Sequence, residues 1–245
     1  MKGIILAGGT GSRLFPLTKV TNKHLLPVGK YPMIYHAIYK LKRAGITELL
    51  VVTGKEHMGS VVNLLGSGAE FGVSFTYKVQ DQAGGIAQAL GMAEQFCQQD
   101  RMVVLLGDNV FESDITPFVE RYQEQTEGAK ILISQVDDPQ RFGVPELLGD
   151  RIVRIEEKPQ QPKSTYAVTG IYLYDANVFN IIKKLAPSGR GELEITDVNN
   201  AYIEMGQMSY DILPGWWSDA GTPDSYARAN LWARELDDRT VEGRA

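Results

Sequence analysis

A single cysteine, Cys97, leaves no partner for an intramolecular disulfide and no thiolate cluster for a metal. Such usage fits a reducing compartment. Only three histidines occur, His24, His36 and His57, and their spacing matches no ligand motif. A long apolar run is also missing. After Met1-Lys2 a handful of apolar residues precede Gly8, too few for a signal-peptide core and far too few to span a bilayer. The chain is therefore expected to be cytoplasmic, with no membrane partner. Basic residues are outnumbered, 25 Lys and Arg against 30 Asp and Glu for a net charge of -5, which argues against a nucleic-acid backbone as partner. Internal repeats and low-complexity segments are absent.

What remains is a chain of 245 residues with 43% hydrophobic content, enough to bury a substantial core as one large domain or one domain with an inserted subdomain. Its most informative stretch runs from Ala7 to Arg13. The apolar run Ile4-Ile5-Leu6 feeds directly into Gly8, Gly9 and Gly11, which reads as a strand entering a phosphate loop. Glycines let backbone N–H groups approach an anion without a Cβ in the way, and Arg13 adds a planar fork for two phosphate oxygens. The Walker A pattern fails, because Ser12-Arg13 follows Gly11 where Lys-Ser/Thr is required. A dinucleotide fingerprint fails as well: Leu14 stands where its third glycine should be, and Phe15-Pro16 interrupts a helix.

Beyond the loop, β-branched runs alternate with helical stretches. Strands are expected at Lys2–Ala7, 48–52, 73–78 and Met102–Leu106, with helices at 33–44, Met58–Leu65 and about 85–96. This alternation predicts an α/β protein, a three-layer Rossmann-like fold with a mostly parallel sheet. The second half adds a helix at 115–125, a strand at 130–136, a hairpin from 144–148 and 152–156, and a strand at 171–174. Helices at 176–185 and up to Met205 follow, then a strand at 209–213 and a final helix from Thr222 to Leu236.

In open parallel sheets ligands bind beyond the carboxyl ends of the strands. Three loops there carry chemistry. The opening loop continues to Lys23. Gln80, before Asp81-Gln82-Ala83-Gly84-Gly85, offers an amide that matches the O and N–H edge of a pyrimidine, and Gly85 allows a close approach to the base. Asp108, leaving a buried strand, is an oxygen ligand suited to Mg2+ beside phosphates. Glu156-Glu157-Lys158-Pro159 places its charges at the end of a strand, where they could face solvent or a sugar phosphate, and the charges alone favour solvent. Arg190 and Glu192 lie in a polar loop able to meet a ligand, Asp219 sits in the turn before the final helix, and Gln88 has no role that the sequence assigns.

Together, Leu6-Ala7-Gly8-Gly9-Thr10-Gly11-Ser12-Arg13-Leu14-Phe15-Pro16-Leu17-Thr18 and Lys23 resemble the signature of the sugar-1-phosphate nucleotidyltransferases. Pro32-Met33-Ile34-Tyr35, Leu106-Gly107-Asp108-Asn109, Glu156-Glu157-Lys158-Pro159, the block from Gly189 to Asn199 and Trp217-Ser218-Asp219-Ala220-Gly221-Thr222 most resemble the branch that joins dTTP to glucose 1-phosphate. The match runs in order from Met1 to about Leu236.

The resemblance implies a central sheet with an inserted sugar-binding β subdomain, in one domain over 1–236. A nucleotide-binding half would cover about 1–136 and a sugar-phosphate-binding half about 137–236, with a polar tail at 237–245. It implies that Leu6, Gly8, Gly9 and Gly11 line the nucleotide, Arg13 and Lys23 hold its phosphates, and Gln80 and Gly85 read the base. Asp108 and Asp219 would carry Mg2+. Gly143, Glu157, Lys158, Val168, Tyr172 and Arg190 would hold glucose 1-phosphate, with Lys158 on its phosphate. A homo-oligomer is implied too. Two departures stand out: the base loop lacks the family's usual proline, and His24 replaces the usual glutamine. Uridylyl transfer to a related hexose 1-phosphate therefore stays open beside thymidylyl transfer. A catalytically silent nucleotide sensor is disfavoured, because Arg13, Lys23, Asp108, Lys158 and Asp219 are all present.

Overall fold

The computed structural model describes residues 1–234. The expected helix end at Leu236 and the polar tail at 237–245 lie outside them. In chain order the elements are β1 (Lys2–Ala7), β2 (Pro27–Val28), β3 (Tyr31–Pro32), α1 (Met33–Arg43), β4 (Glu48–Gly54), α2 (Met58–Leu65), β5 (Ser74–Gln80), α3 (Ile86–Gly91) and α4 (Glu94–Cys97). There follow β6 (Met102–Leu106), β7 (Val110–Phe111), α5 (Thr116–Glu124), β8 (Ala129–Gln135), β9 (Gly143–Leu148), β10 (Arg151–Glu157) and β11 (Tyr166–Tyr174). The chain continues through α6 (Val178–Ile182), α7 (Ile195–Glu204), β12 (Met208–Ile212), β13 (Trp217–Ser218) and α8 (Pro223–Ala233).

Seven strands form one sheet in the order β12-β8-β11-β6-β1-β4-β5. The pairs β1–β4, β1–β6, β4–β5 and β8–β12 are parallel, and only β11 runs against both of its neighbours. Side-chain alternation divides the core into two layers. Ile5, Val51, Val103 and Leu132 point to one face and pack against α1, α2 and α5. Ile4, Leu50, Val104 and Ile131 point to the other, where they meet α3, α6, α7 and the β9–β10 hairpin. The strands read as continuous apolar runs because both faces are covered.

Two expected helices are shorter than the sequence suggests. Between α3 and α4 the N–H groups of Met92 and Ala93 bond three residues back, to Ala89 and Leu90, and this tighter winding breaks the run predicted from 85 to 96. Around α6 the same i-to-i+3 bonding at Phe179 and Lys184 trims the predicted 176–185 helix. By contrast β11 is longer than expected. It begins at Tyr166 and carries an irregularity between Val168 and Tyr172 that re-aims these side chains.

A buried histidine is expected to make the fold acid-sensitive. On α1, His36 is 4% exposed, and burial lowers its pKa from 6.5 to about 4 against the opposing pull of the Val28 carbonyl, 3.0 Å from its Nε2. Between those values the unfolded chain binds more protons than the folded one, and stability falls as the pH drops through the window. From pH 7 to pH 4 this one group is expected to cost about 3 kcal/mol. Urea unfolding at the two pH values should show a correspondingly smaller drop in His36→Gln; an equal drop in both proteins would assign the acid sensitivity elsewhere.

Candidate active site

The strand order reverses between β1 and β6, and a cavity of about 560 Å3 opens beyond their carboxyl ends. From β1 come Leu6, Gly8 and Gly9, with Arg13 and Lys23 from the following loop. Gln80 ends β5, Gly85 precedes α3, and Asp108 follows β6. The opposite wall brings Gly143, Glu157, Lys158, Val168, Tyr172, Arg190 and Asp219. Residues from both halves of the sequence thus face one space. Gly11 does not line it: its carbonyl accepts the Thr18 hydroxyl at 2.8 Å, which folds the loop back on itself.

Most cations of the cavity already have anionic partners. Lys23 Nζ lies 2.5 Å from Asp108 Oδ2. Asp108 is 9% exposed as a residue; burial pushes its pKa up, but Lys23, His24 and hydrogen bonds from Lys23 and Asn109 outweigh this and hold it below the usual carboxylate value. Arg141, which the sequence reading passed over, reaches Asp138 at 2.7 Å and Asp219 at 3.1 Å. On the far wall Arg190 pairs with Glu194 at 2.8 Å and approaches Glu157 and Glu192 at 3.5 and 3.6 Å. Arg13 makes no ion pair among the described residues and is exposed.

Positioning comes from buried polar groups. The Asn109 side chain donates to Asp108 Oδ1 at 3.0 Å and accepts from the Gly170 backbone N–H at 2.9 Å and the Trp217 indole N–H at 2.6 Å. It ties the carboxylate to β11 and β13. His24 is 1% exposed, with Nδ1 at 2.6 Å from Asn22 Oδ1; burial and the Lys23 charge lower its pKa to about 3, so its ring is neutral at ordinary pH.

The solvated expectation for the end of β10 requires correction. Glu156 is exposed, but Glu157 turns into the cavity because the Thr196 hydroxyl donates to its Oε2 at 2.6 Å. Lys158 follows with φ +47, a left-handed conformation that costs a non-glycine residue roughly 1–2 kcal/mol. Its N–H donates to the Phe142 carbonyl at 2.9 Å, and its side chain borders the cavity. A strained backbone at such a point marks a position fixed by its surroundings.

The donor chemistry suits a hard divalent cation: two carboxylates, Asp108 and Asp219, face the same cavity and each holds a cationic side chain. No cluster of three or more His, Cys, Asp or Glu that could hold a metal ion occurs among the described residues. No helix among those residues is long and apolar enough to cross a membrane.

An α/β sheet with a glycine-lined, cation-rich cleft at its switch point defines a nucleotide-handling enzyme. The nucleotidyl transferase family model matches residues 2–235, and the chain belongs to that family. Within it, the chain is 47% identical over 233 residues to the glucose-1-phosphate thymidylyltransferase of Neisseria meningitidis serogroup A, covering 94% of this chain and 81% of that protein. The namesake from Actinoplanes sp. is 43% identical over 242 residues, covering 97% and 80%. A Bacillus anthracis structure, described as a candidate glucose-1-phosphate thymidylyltransferase in complex with a sucrose, superposes with a TM-score of 0.95 at 64% identity over 99% of each chain. UDP-glucose pyrophosphorylase complexed with UDP-glucose shares the fold, with a TM-score of 0.85 at 24% identity over 96% of this chain and 99% of that one.

Proposed function

We propose that the protein transfers a thymidylyl group from dTTP to glucose 1-phosphate, giving dTDP-glucose and pyrophosphate. The observation that carries this is that Arg13, Lys23, Asp108 and Gln80 share one cavity with Glu157, Lys158, Arg190 and Asp219. The division of its walls between residues before 110 and after 140 supports a nucleotide-binding half over about 1–136 and a sugar-phosphate half beyond it. Thymidylyltransferase is also the name borne by relatives at 43–47% identity.

A sugar-phosphate oxygen is anionic at neutral pH and needs no general base to attack the α-phosphorus. The obstacle is repulsion between two polyanions, so catalysis is positioning plus charge neutralisation. Arg13 and Lys23 would take the nucleotide phosphates, and Lys158 with Arg190 would hold the incoming phosphate in line with the departing pyrophosphate. Mg2+ held by Asp108, Asp219 and phosphate oxygens would supply the remaining neutralisation. Lys23 would exchange Asp108 for a phosphate as the substrates arrive, which keeps the site electrically balanced at each stage. Glu157, oriented by Thr196, would accept sugar hydroxyls.

Pyrophosphate release with Mg2+ and glucose 1-phosphate tests this. Turnover is expected with dTTP in excess of UTP, and EDTA is expected to abolish it. The alternative, uridylyl transfer, is supported by the place of Gln80 in the cavity lining, where its amide would meet an edge common to thymine and uracil; a preference for UTP would move the assignment there. Absence of release with either would retire the proposal.

A further inference from the structure

Gln88 lies behind Gln80 on α3, outside the cavity lining. Two contacts define its orientation. The Gly84 backbone N–H, which can only donate, is shared between the Gln82 carbonyl at 2.9 Å and Gln88 Oε1 at 3.1 Å. The Gln88 oxygen therefore faces the loop, and the same oxygen lies 2.8 Å from the Gln80 amide nitrogen. An oxygen so placed requires a donor opposite it, so Gln80 must present its NH2 toward Gln88 and cannot present its carbonyl there. The second Gln80 N–H is directed at the Gly85 carbonyl, at 3.4 Å. Both amide hydrogens are thus turned inward, and Oε1 faces the nucleotide loop, 2.7 Å from where a Cβ on Gly8 would stand.

This relay needs a glycine at its origin. A Cβ on Gly84 would lie 2.4–2.5 Å from Cδ, Nε2 and Oε1 of Gln88, so only glycine lets the side chain reach the backbone N–H. Gln80 itself is 8% exposed, and a buried amide whose donors are satisfied has a strong preference for one of its two flip states.

Building on the nucleotidyl-transfer function proposed above, we infer that Gln88 is a positioning residue that sets pyrimidine selectivity by locking the Gln80 amide with its oxygen toward the base. A base held in register by its triphosphate then meets an acceptor at N3. Thymine and uracil carry N3–H and donate to it; cytosine has a lone pair at N3 and leaves two acceptors facing each other. Such a mismatch discriminates because a buried polar group goes unpaired. Without Gln88 the Gln80 amide can flip, present NH2 and accommodate cytosine.

The test compares kcat/KM for dTTP and dCTP, each with glucose 1-phosphate, in wild type, Gln88→Leu and Gln88→Glu. Wild type is expected to prefer dTTP. In Gln88→Leu the dTTP/dCTP ratio is expected to fall at least about tenfold, the loss expected when a polar mismatch is relieved. Gln88→Glu keeps an acceptor for both Gly84 and Gln80 and is expected to retain the wild-type ratio. Damage to the fold lowers both substrates alike and leaves the ratio unmoved. Should the leucine variant fail to fold, Gln88→Met provides the same comparison. An unchanged ratio in the apolar variant, or a loss in Gln88→Glu equal to that in Gln88→Leu, overturns the assignment while leaving the transferase activity in place. Wild-type turnover of neither nucleotide overturns both.

Discussion

Asp108→Asn is expected to reduce turnover about a thousandfold while the protein stays folded. The substitution keeps the side chain's shape, and an amide oxygen can still accept from Asn109. It removes the charge. In the unliganded site that charge is matched by Lys23 at 2.5 Å, with side-chain exposures of 12% and 14% for the two groups. During transfer the same carboxylate would hold Mg2+ against the phosphates. An asparagine can do neither well: the metal loses one of its two protein anions, and Lys23 is left to pair with substrate phosphate at all times. Ground-state binding of nucleotide would then suffer less than the chemical step, so the loss is expected in kcat more than in KM.

The fold should tolerate this change because Asp108 lies where the sheet meets the cavity rather than within either core layer. Removing one member of a buried pair can cost about 3–5 kcal/mol, but Lys23 borders an open cavity and can reach water. Thermal unfolding and circular dichroism should show a native protein, and pyrophosphate release should show the kinetic loss. Near-normal turnover would remove Asp108 from the metal site. Lys23→Met separates the two roles: it leaves the carboxylate free, so metal dependence should persist while nucleotide affinity falls.

The sheet was visible in the sequence because its strands are buried on both faces and read as unbroken apolar runs, as in Leu49-Leu50-Val51-Val52 and Val103-Val104-Leu105. Helix boundaries were less visible. Gly91 and the residues after it have no breaker as strong as proline, and the break before α4 follows from hydrogen bonds that composition does not encode. Pairings across the cavity were invisible for a different reason. Lys23 and Asp108 are 85 residues apart, and Arg141 and Asp219 are 78 apart, so only the folded sheet shows which charges neutralise each other. Glu157 reads as a solvated charge until Thr196, 39 residues later, is placed beside it. Gln88 looks like an ordinary helix residue because its two partners become neighbours only when the loop before α3 is folded. Gly11 reads as part of the phosphate loop because it follows Gly8 and Gly9 in the sequence; in the fold its carbonyl accepts the Thr18 hydroxyl and it stands outside the cavity lining.

Gly85→Ala is expected to be the most damaging small substitution in the site. Gly85 has φ +99 and ψ 169, a region that residues with a Cβ scarcely occupy. An added Cβ would also stand 2.4 Å from the Leu193 carbonyl oxygen and 2.9 Å from its nitrogen. Neither atom can retreat freely. Leu193 N–H donates to the Gly84 carbonyl at 2.8 Å, and the Leu193 carbonyl accepts from Ala87 N–H at 3.2 Å, so the two loops are stitched together at this point. Backbone strain alone costs about 1–3 kcal/mol, and the clash brings the total to about 3 kcal/mol or more. For a chain of this size that lowers the melting temperature by about 6–12 °C. Relief requires the loop carrying Leu193 to move, and with it Glu194 and its partner Arg190, so a change on the nucleotide wall is transmitted to the sugar-phosphate wall. KM should therefore rise for both substrates. Gly149→Ala is the informative contrast: φ there is +62 with no atom within 4 Å of an added Cβ, so it carries a milder left-handed backbone cost and no collision. Equal thermal shifts in the two variants, with KM unchanged in Gly85→Ala, would show that the loops can separate without consequence; a larger shift at Gly85 with both KM values raised is the outcome the stitched loops require.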